Sequence, residues 1–509
     1  MDRLLARRAL IVGLLLGLLA ELALDGRAAG LNVPLVVAAM LVAGAIFRRP
    51  GRTVDPLDAW LPITSLVLAG FVAIRGDEFL AALDTLGAVA FGGASLIALA
   101  GTPVTRRSAG AISALAVWLA LTATLGVRHV LPSTREPREQ ATTRRWPWLA
   151  PLVRGLAVGL PLAMIFALLF ASADPIFGRG LDDVMGLRID LGTLPGRVVF
   201  MLGSAWLAIG LLAGVIDGVP ADPPVEAPTS SVPQTAWSLG ASAVPIKLVG
   251  GGPGALEATV ILLVVDAVVA SFVALQIAYL FGGLDTLAAA GLTYSDYARR
   301  GFFELVAAAV LAGTVVAALE AVVGKRSRAH LGASLGLLAL TGVVLVSAAF
   351  RLSLYQQAYG WTELRFYVFT AIAYVAAALL VLAGLVMVRR TRWLVHGLAV
   401  LGVVGLVGLN LAVPAAFVAE RNLERVLRPG LVSPGGRTGL DAPYLAMLPD
   451  DAVPPLVAAL DRLPAAERAA VQDILERRLD ALRYDPAVDS PMAWNLGREQ
   501  AKAALMRLP

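Results

Sequence analysis

The chain has 509 residues, of which 58% are hydrophobic and only 16% charged, with a mean hydropathy of +0.77, where soluble domains hold about 45–50% apolar residues. The formal net charge of +5 sits in arginines of short connections between apolar runs, so it signals membrane sidedness and not nucleic-acid binding. Cysteine is absent and the three histidines, His129, His330 and His396, lie far apart, which excludes disulfides and thiolate chemistry and argues against a bound metal or cofactor.

Arginine outnumbers lysine 39 to 3 beside abundant Ala and Gly, the composition of a GC-rich bacterial genome. Twelve apolar runs of about 17 to 25 residues fill positions 9–418. A helix rises about 1.5 Å per residue, so roughly 20 apolar residues cross a hydrocarbon core of about 30 Å. Lipid offers no hydrogen bonds to the backbone, so only helices or closed barrels span it, and these runs are too long for barrel strands. The predicted fold is all-α: a polytopic helical membrane protein of about 12 spans (11–13), in a bacterial inner membrane, with a small helical extramembrane tail.

The basic N-terminus, Met1 to Arg8, resembles the start of a signal peptide, but no clear small-residue cleavage site follows, so 9–24 reads as an uncleaved first span. Further spans are predicted at 31–47, 58–74, 79–100, 109–127, 148–170, 196–216, 256–281, 301–323, 331–350, 366–388 and 394–418. The connection 171–195 carries Asp174, Asp182, Asp183 and Asp190 among apolar residues. The connection 218–254 is rich in Pro, Ser and Gly and reads as a linker. The resulting division is 1–147, about five spans; 148–217, two spans with the acidic interfacial loop; 218–255, the linker; 256–418, five spans; and 419–509, the tail. Within the tail, 465–482 places Val471, Ile474, Leu475, Leu479 and Leu482 on one helical face.

Charge placement produces a conflict. Arg3, Arg7 and Arg8, then Arg48, Arg49 and Arg52, then Arg106 and Arg107 alternate with nearly uncharged loops, which puts the N-terminus in the cytoplasm. With twelve strictly alternating spans, the later basic loops Arg128–Arg145, Lys325–Arg328 and Arg389–Arg392 land on the opposite side. An odd number of crossings, with the tail outside, removes the conflict.

The densest polar cluster runs from Arg351 through Tyr355, Gln356, Gln357, Tyr359, Gly360, Trp361, Thr362 and Glu363 to Arg365, between two spans. As one helix it would hold Arg351, Tyr355, Thr362 and Arg365 within about 40° of one direction; Gly360 could instead break it into a re-entrant turn. Two guanidiniums beside phenols suit a phosphate or carboxylate at headgroup level. The plainer alternative is an aromatic anchor with snorkelling arginines. A second cluster, Tyr294 to Glu304, places Asp296, Arg300 and Glu304 four apart, as in an ion-paired start of a helix. Asp266 lies mid-span among Val264, Val265, Val268 and Val269; such a carboxylate is protonated, paired or wet, and it is expected to face neighbouring helices. Glu21, Asp84, Arg154, Glu320 and Asn410 are weaker versions of the same case. No phosphate-binding Gly-rich loop, serine-hydrolase elbow or zinc-protease motif is present.

Together, the segments Ser172–Phe177, Tyr279–Gly283, Tyr294–Leu305, Arg351–Tyr367, Tyr444–Pro454 and Trp494–Arg498 resemble the bacterial membrane proteins catalogued as domain of unknown function 4173, related to domain of unknown function 4153. The resemblance covers roughly residues 150–500 and implies the fold and the candidate sites, but no activity. The leading expectation is therefore a protein that binds or moves a small or lipidic anionic ligand with Arg351, Tyr355, Tyr359, Thr362, Arg365, Asp266, Arg300 and Glu304. The alternatives are a membrane-embedded transferase acting on a lipid-linked substrate and a sensor or assembly scaffold. Whether the protein is an enzyme is left open. Its partners are the bilayer and an anionic lipid or small molecule, not nucleic acid; protein partners are undetermined.

Overall fold

The computed structural model describes residues 3–105, 107, 109–127, 130, 194–218, 255–281, 302–323, 327–432, 439–485 and 487–508, and every α or 3-10 element among them is helical. The apolar helices are α1 (Arg3–Leu24), α2 (Asn32–Ile46), α3 (Trp60–Val72), α4 (Glu78–Leu99), α5 (Ala109–Leu125) and α6 (Leu194–Asp217). They continue with α7 (Ala255–Phe281), α8 (Phe302–Val322), α9 (Arg328–Tyr359), α10 (Glu363–Met387) and α11 (Leu394–Ala412). Five stretches, Glu78–Leu99, Phe200–Asp217, Arg328–Tyr359, Glu363–Met387 and Thr391–Ala412, are long and apolar enough to cross a membrane, which marks a membrane protein. Asn32–Ile46, Pro56–Val72, Ala258–Ala274 and Leu305–Ala321 are apolar but shorter. Large side chains on the spans, such as Val346, Leu380 and Leu411, are exposed, an outward face that suits lipid. The expected span 148–170, the acidic loop 171–195 apart from its last two residues, most of the linker and Arg300 lie outside the described residues.

Helices α1–α6 pack as one group and α7–α10 as another, with α11 set against α10, α3 and α4. Helix α6 is antiparallel to α1: Arg197, near its start, bonds Glu21 near the end of α1, and Ile209 lies opposite Gly13. Twelve alternating spans would make these two helices parallel. At the start of α1 lies the connection between α2 and α3, where Arg52 donates to the carbonyls of Val215 and Asp217, each at 2.8 Å. The connection after α10 is at this same end, since Trp60 meets His396 at 5.4 Å. Arg7, Arg8, Arg48, Arg49, Arg52, Arg389, Arg390 and Arg392 thus gather at one end of the bundle.

Two helix ends differ from expectation. The run 331–350 is part of a 32-residue helix that continues to Tyr359. The run 394–418 stops at Ala412, because Pro414 lacks an N–H and crowds the residue before it; Val413 turns to φ +48°. After that bend the chain forms α12 (Pro414–Leu427), α13 (Ala442–Met447), α14 (Val453–Ala459), α15 (Ala465–Tyr484) and α16 (Leu496–Leu505). These share their own core, including Val418, Leu445, Leu456 and Leu505. In α15, Val471, Ile474 and Leu475 are buried and Leu479 and Leu482 pack against them, as the 3.6-residue period implies.

One buried polar pair lies inside the second group of helices. His330 Nε2 lies 3.1 Å from Glu320 Oε1, both side chains being fully buried, and Ser334 donates to the same oxygen at 3.3 Å. Removing one partner of a buried pair is costlier than removing both. Glu320→Leu should therefore lower the thermal unfolding midpoint in detergent, by the equivalent of about 3 kcal/mol. The double variant Glu320→Leu/His330→Leu should recover most of that loss; an additive loss would show that the pair is not coupled.

Candidate functional site

The site lies where α12–α16 meet the ends of the spans away from the basic end. Helix α9 ends because Gly360 adopts φ +83°, a left-handed backbone that favours glycine. Two residues later the Thr362 hydroxyl accepts from the Arg365 amide at 3.3 Å and caps α10. The segment is therefore a tight turn between two helices, and the single helical face considered above does not form. Arg351 and Tyr355 lie on α9, while Arg365 belongs to α10.

The structure nevertheless brings part of the predicted set together. The Arg365 guanidinium donates to the Gly360 carbonyl and lies 4.3 Å from the centre of the Tyr355 ring, a cation–π contact. Tyr355 packs on Tyr359 at 5.0 Å. Arg351 is half-buried on the turn of α9 that precedes Tyr355. Asp266 is remote from this turn. Its carboxylate faces α9 at Gly336, where a Cβ would stand 3.7 Å from Oδ2, and its Oδ1 is buried with no hydrogen-bonding partner among the described residues. Glu304 belongs to α8, and Arg300 lies outside the described residues.

Most of the turn's polar bonds come from the C-terminal helices, which sequence reasoning did not assign to it. Asn422 of α12 accepts from the Trp361 amide at 2.9 Å and donates to the Trp361 carbonyl at 2.8 Å. Arg425 donates to the carbonyls of Gln357 and Ala358, at 2.7 and 3.3 Å, satisfying the exposed end of α9. Burial first, then the charge of Arg365, hold the Arg425 guanidinium below its ordinary pKa. The Tyr444 hydroxyl accepts from the Glu363 amide at 2.7 Å, and burial is the main cause that pushes this phenol up to about 12. Tyr359, Thr362, Arg425, Asp441 and Tyr444 line a cavity of about 40 Å³, room for about three waters.

A second set of bonds ties the same C-terminal helices to the connections 25–31 and 73–77. Asn495 donates to the carbonyls of Val72 and Arg75 at 2.9 and 2.7 Å, closing the end of α3. The amides of Leu496 and Gly497 donate to the carbonyls of Ala73 and Ile74, and Leu31 donates to that of Trp494. Asp451 accepts from the Gly76 amide at 3.0 Å. Gly497 is required here, since a Cβ would sit 2.2 Å from Asp451 Oδ1. Asp450 lies 3.4 Å from Arg478 and 3.7 Å from Arg498.

Between the two sets stands an acidic group. Asp77 caps α4 through the Leu80 amide and accepts from the Tyr367 hydroxyl at 2.7 Å. Glu363 lies near enough to Asp77 to feel its charge. Tyr367 and Tyr444 fall within segments that carry the family resemblance; Asp77, Asn422 and Arg425 carried no such signal.

A family model described as a domain of unknown function, DUF4153, matches residues 63–459. This chain belongs to that family. The match runs from α3 through α14 and so takes in the turn, its Asn422 and Arg425 partners and the Asp77–Glu363 pair. Neither curated proteins nor solved structures give a match.

Burial pushes the Asp451 carboxyl from 3.8 up to about 6, against the opposing effects of the Gly76 amide and Arg75. Burial likewise raises Asp450, despite Arg478 and Arg498. The docked carboxyl of Asp451 thus binds its proton more tightly than a free aspartate, so docking contributes most below about pH 4 and weakens as pH rises to about 6. The expected change is on the order of 2–3 kcal/mol. Trypsin cleavage within α15 should quicken over that window, and Asp451→Asn should flatten the dependence.

Proposed function

We propose that this is a multi-pass protein of the bacterial inner membrane that acts as a sensor or assembly scaffold, with its C-terminal helices latched as a cap on the outer face. The observation that carries the reading is the use made of the polar side chains at the turn. Arg365, Arg425, Asn422, Tyr444 and Asn495 bind main-chain groups at helix ends, and the space left beside them is about 40 Å³. A lipid headgroup does not fit such a space. The motifs within 351–367, 444–454 and 494–498 recur at this junction, which supports the narrower kinship with domain of unknown function 4173.

Orientation follows from charge. The gathering of arginines at the start of α1 supports a cytoplasmic assignment for that end. The cap bonds the connections after α1 and α3, at the other end, which supports an odd number of crossings, eleven or thirteen. Reporter fusions at Met1 and Pro509 should report opposite compartments, and a shared compartment overturns this topology.

A second reading, binding of an anionic ligand, is favoured by the position of Arg425, Thr362 and Tyr359 around the small cavity, and in this form it admits only a small inorganic ion. The two readings separate by mutation. Each bond in the latch is worth about 1 kcal/mol, so Asn422→Ala with Gly497→Ala should speed proteolytic release of the cap about tenfold or more and abolish the phenotype rescued by the intact gene. Arg365→Lys should be milder, since lysine still reaches a carbonyl. If Arg365→Lys abolishes rescue while the cap stays protected, the fork of the guanidinium is needed and the anion reading replaces the scaffold.

A further inference from the structure

The strongest unassigned group lies two turns below Asp77 on α4. Asp84 and Asn410, on α4 and α11, are both 0% exposed. Asn410 Nδ2 donates to Asp84 Oδ1 at 2.9 Å and to the Leu406 carbonyl at 3.0 Å, which fixes the orientation of the amide. Two acceptors then remain, Asp84 Oδ2 and Asn410 Oδ1, both buried and without a hydrogen-bonding partner among the described residues. An ionised carboxylate left half-satisfied inside a bilayer costs several kcal/mol. A hard cation would take six or more oxygens, far beyond the two on offer. A proton on Asp84 removes the charge and converts one orphaned acceptor into a donor.

The polar surroundings are one-sided. Arg75 and Asp77, on the connection at the capped end, lie near enough to act on the charge of Asp84; Tyr367 from α10 bonds Asp77, and Glu363 lies close to Asp77. From α3, Ser65 donates to the Ala88 carbonyl and offers no charge. In the other direction the wall is apolar. One turn below Asp84, a Cβ on Gly87 would stand 2.6 Å from Leu68 and 3.6 Å from Leu406. Beyond lies an open groove of about 380 Å³ lined by Leu68, Phe91, Val403 and Leu406 among others, with no charged side chain in its lining.

We propose that Asp84 and Asn410 form a proton-binding site inside the membrane, filled and emptied from the capped end through Asp77 and Glu363. The apolar wall makes it a dead end, so it stores a proton and does not conduct one. As the sensing element of the protein it rests on the sensor reading; as a binding site it stands alone.

The full chain in lipid nanodiscs provides the test. Its infrared spectrum at pH 7 should contain a protonated carboxylic acid band that Asp84→Asn removes and that sodium chloride leaves unchanged. Dicyclohexylcarbodiimide, which attacks protonated carboxyls in apolar surroundings, should label the Asp84 peptide at pH 7 equally in sodium and choline chloride. In proteoliposomes sorted by an accessible C-terminal tag, the band should follow the pH on the tail side. An acid band unaffected by Asp84→Asn overturns the site, protection by sodium replaces the proton with a cation, and a response to the far side overturns the dead end. If the band behaves as expected but protease protection of the cap is the same in Asp84→Asn, the site stands and the sensor reading falls.

Discussion

A helix that ends at a membrane boundary leaves carbonyls without partners, and the rest of this structure depends on how they are satisfied. Here the partners come from another part of the chain. Arg425 closes α9, Asn495 closes α3, and Asn422 holds both polar groups of the one residue, Trp361, that separates Gly360 from the cap of α10. Each bond is modest in water. At an edge shielded by packed helices, an unsatisfied carbonyl would cost more than the bond itself contributes. The C-terminal helices are thereby set in position by the ends of the spans, and the spans by the C-terminal helices.

The same junction concentrates acid. Asp77, Glu363, Asp450 and Asp451 converge from three separate regions, with Arg478 and Arg498 engaging Asp450. Among the described residues no three His, Asp or Glu side chains gather in a way that could hold a metal ion. The arginines at the start of α1 and in the connections after α2 and α10 gather at the opposite end.

Much of this was legible in the residues and some was not. The apolar runs show as helices where they are described, because hydropathy follows a helix's own composition. The face of α15 was legible for the same local reason, a 3.6-residue period from Val471 to Leu482. The density of polar groups from Tyr355 to Arg365 could be seen in the sequence, but their geometry could not. Whether Gly360 bends the chain is decided by contacts with Asn422 and Arg425, some sixty residues away. The Asp77–Tyr367 bond joins residues 290 positions apart, beyond any pattern of spacing. The direction of α6 was not legible, because one crossing more or fewer before it reverses every helix that follows.

The bonds between Asn495 and the end of α3 join residues 423 and 420 positions apart, and α1 meets Arg197 of α6 across 176. During synthesis α1 waits for its main partner until well over a third of the chain has been made. The connections after α1 and α3 wait longer still, until residues 487–498 leave the ribosome, after every span has been inserted. Through that interval the carbonyls of Val72, Ala73, Ile74 and Arg75 lack the partners that the C-terminal helices supply. The C-terminal helices thus complete the fold last, and a chain that stops before Asn495 lacks the bonds that close the end of α3.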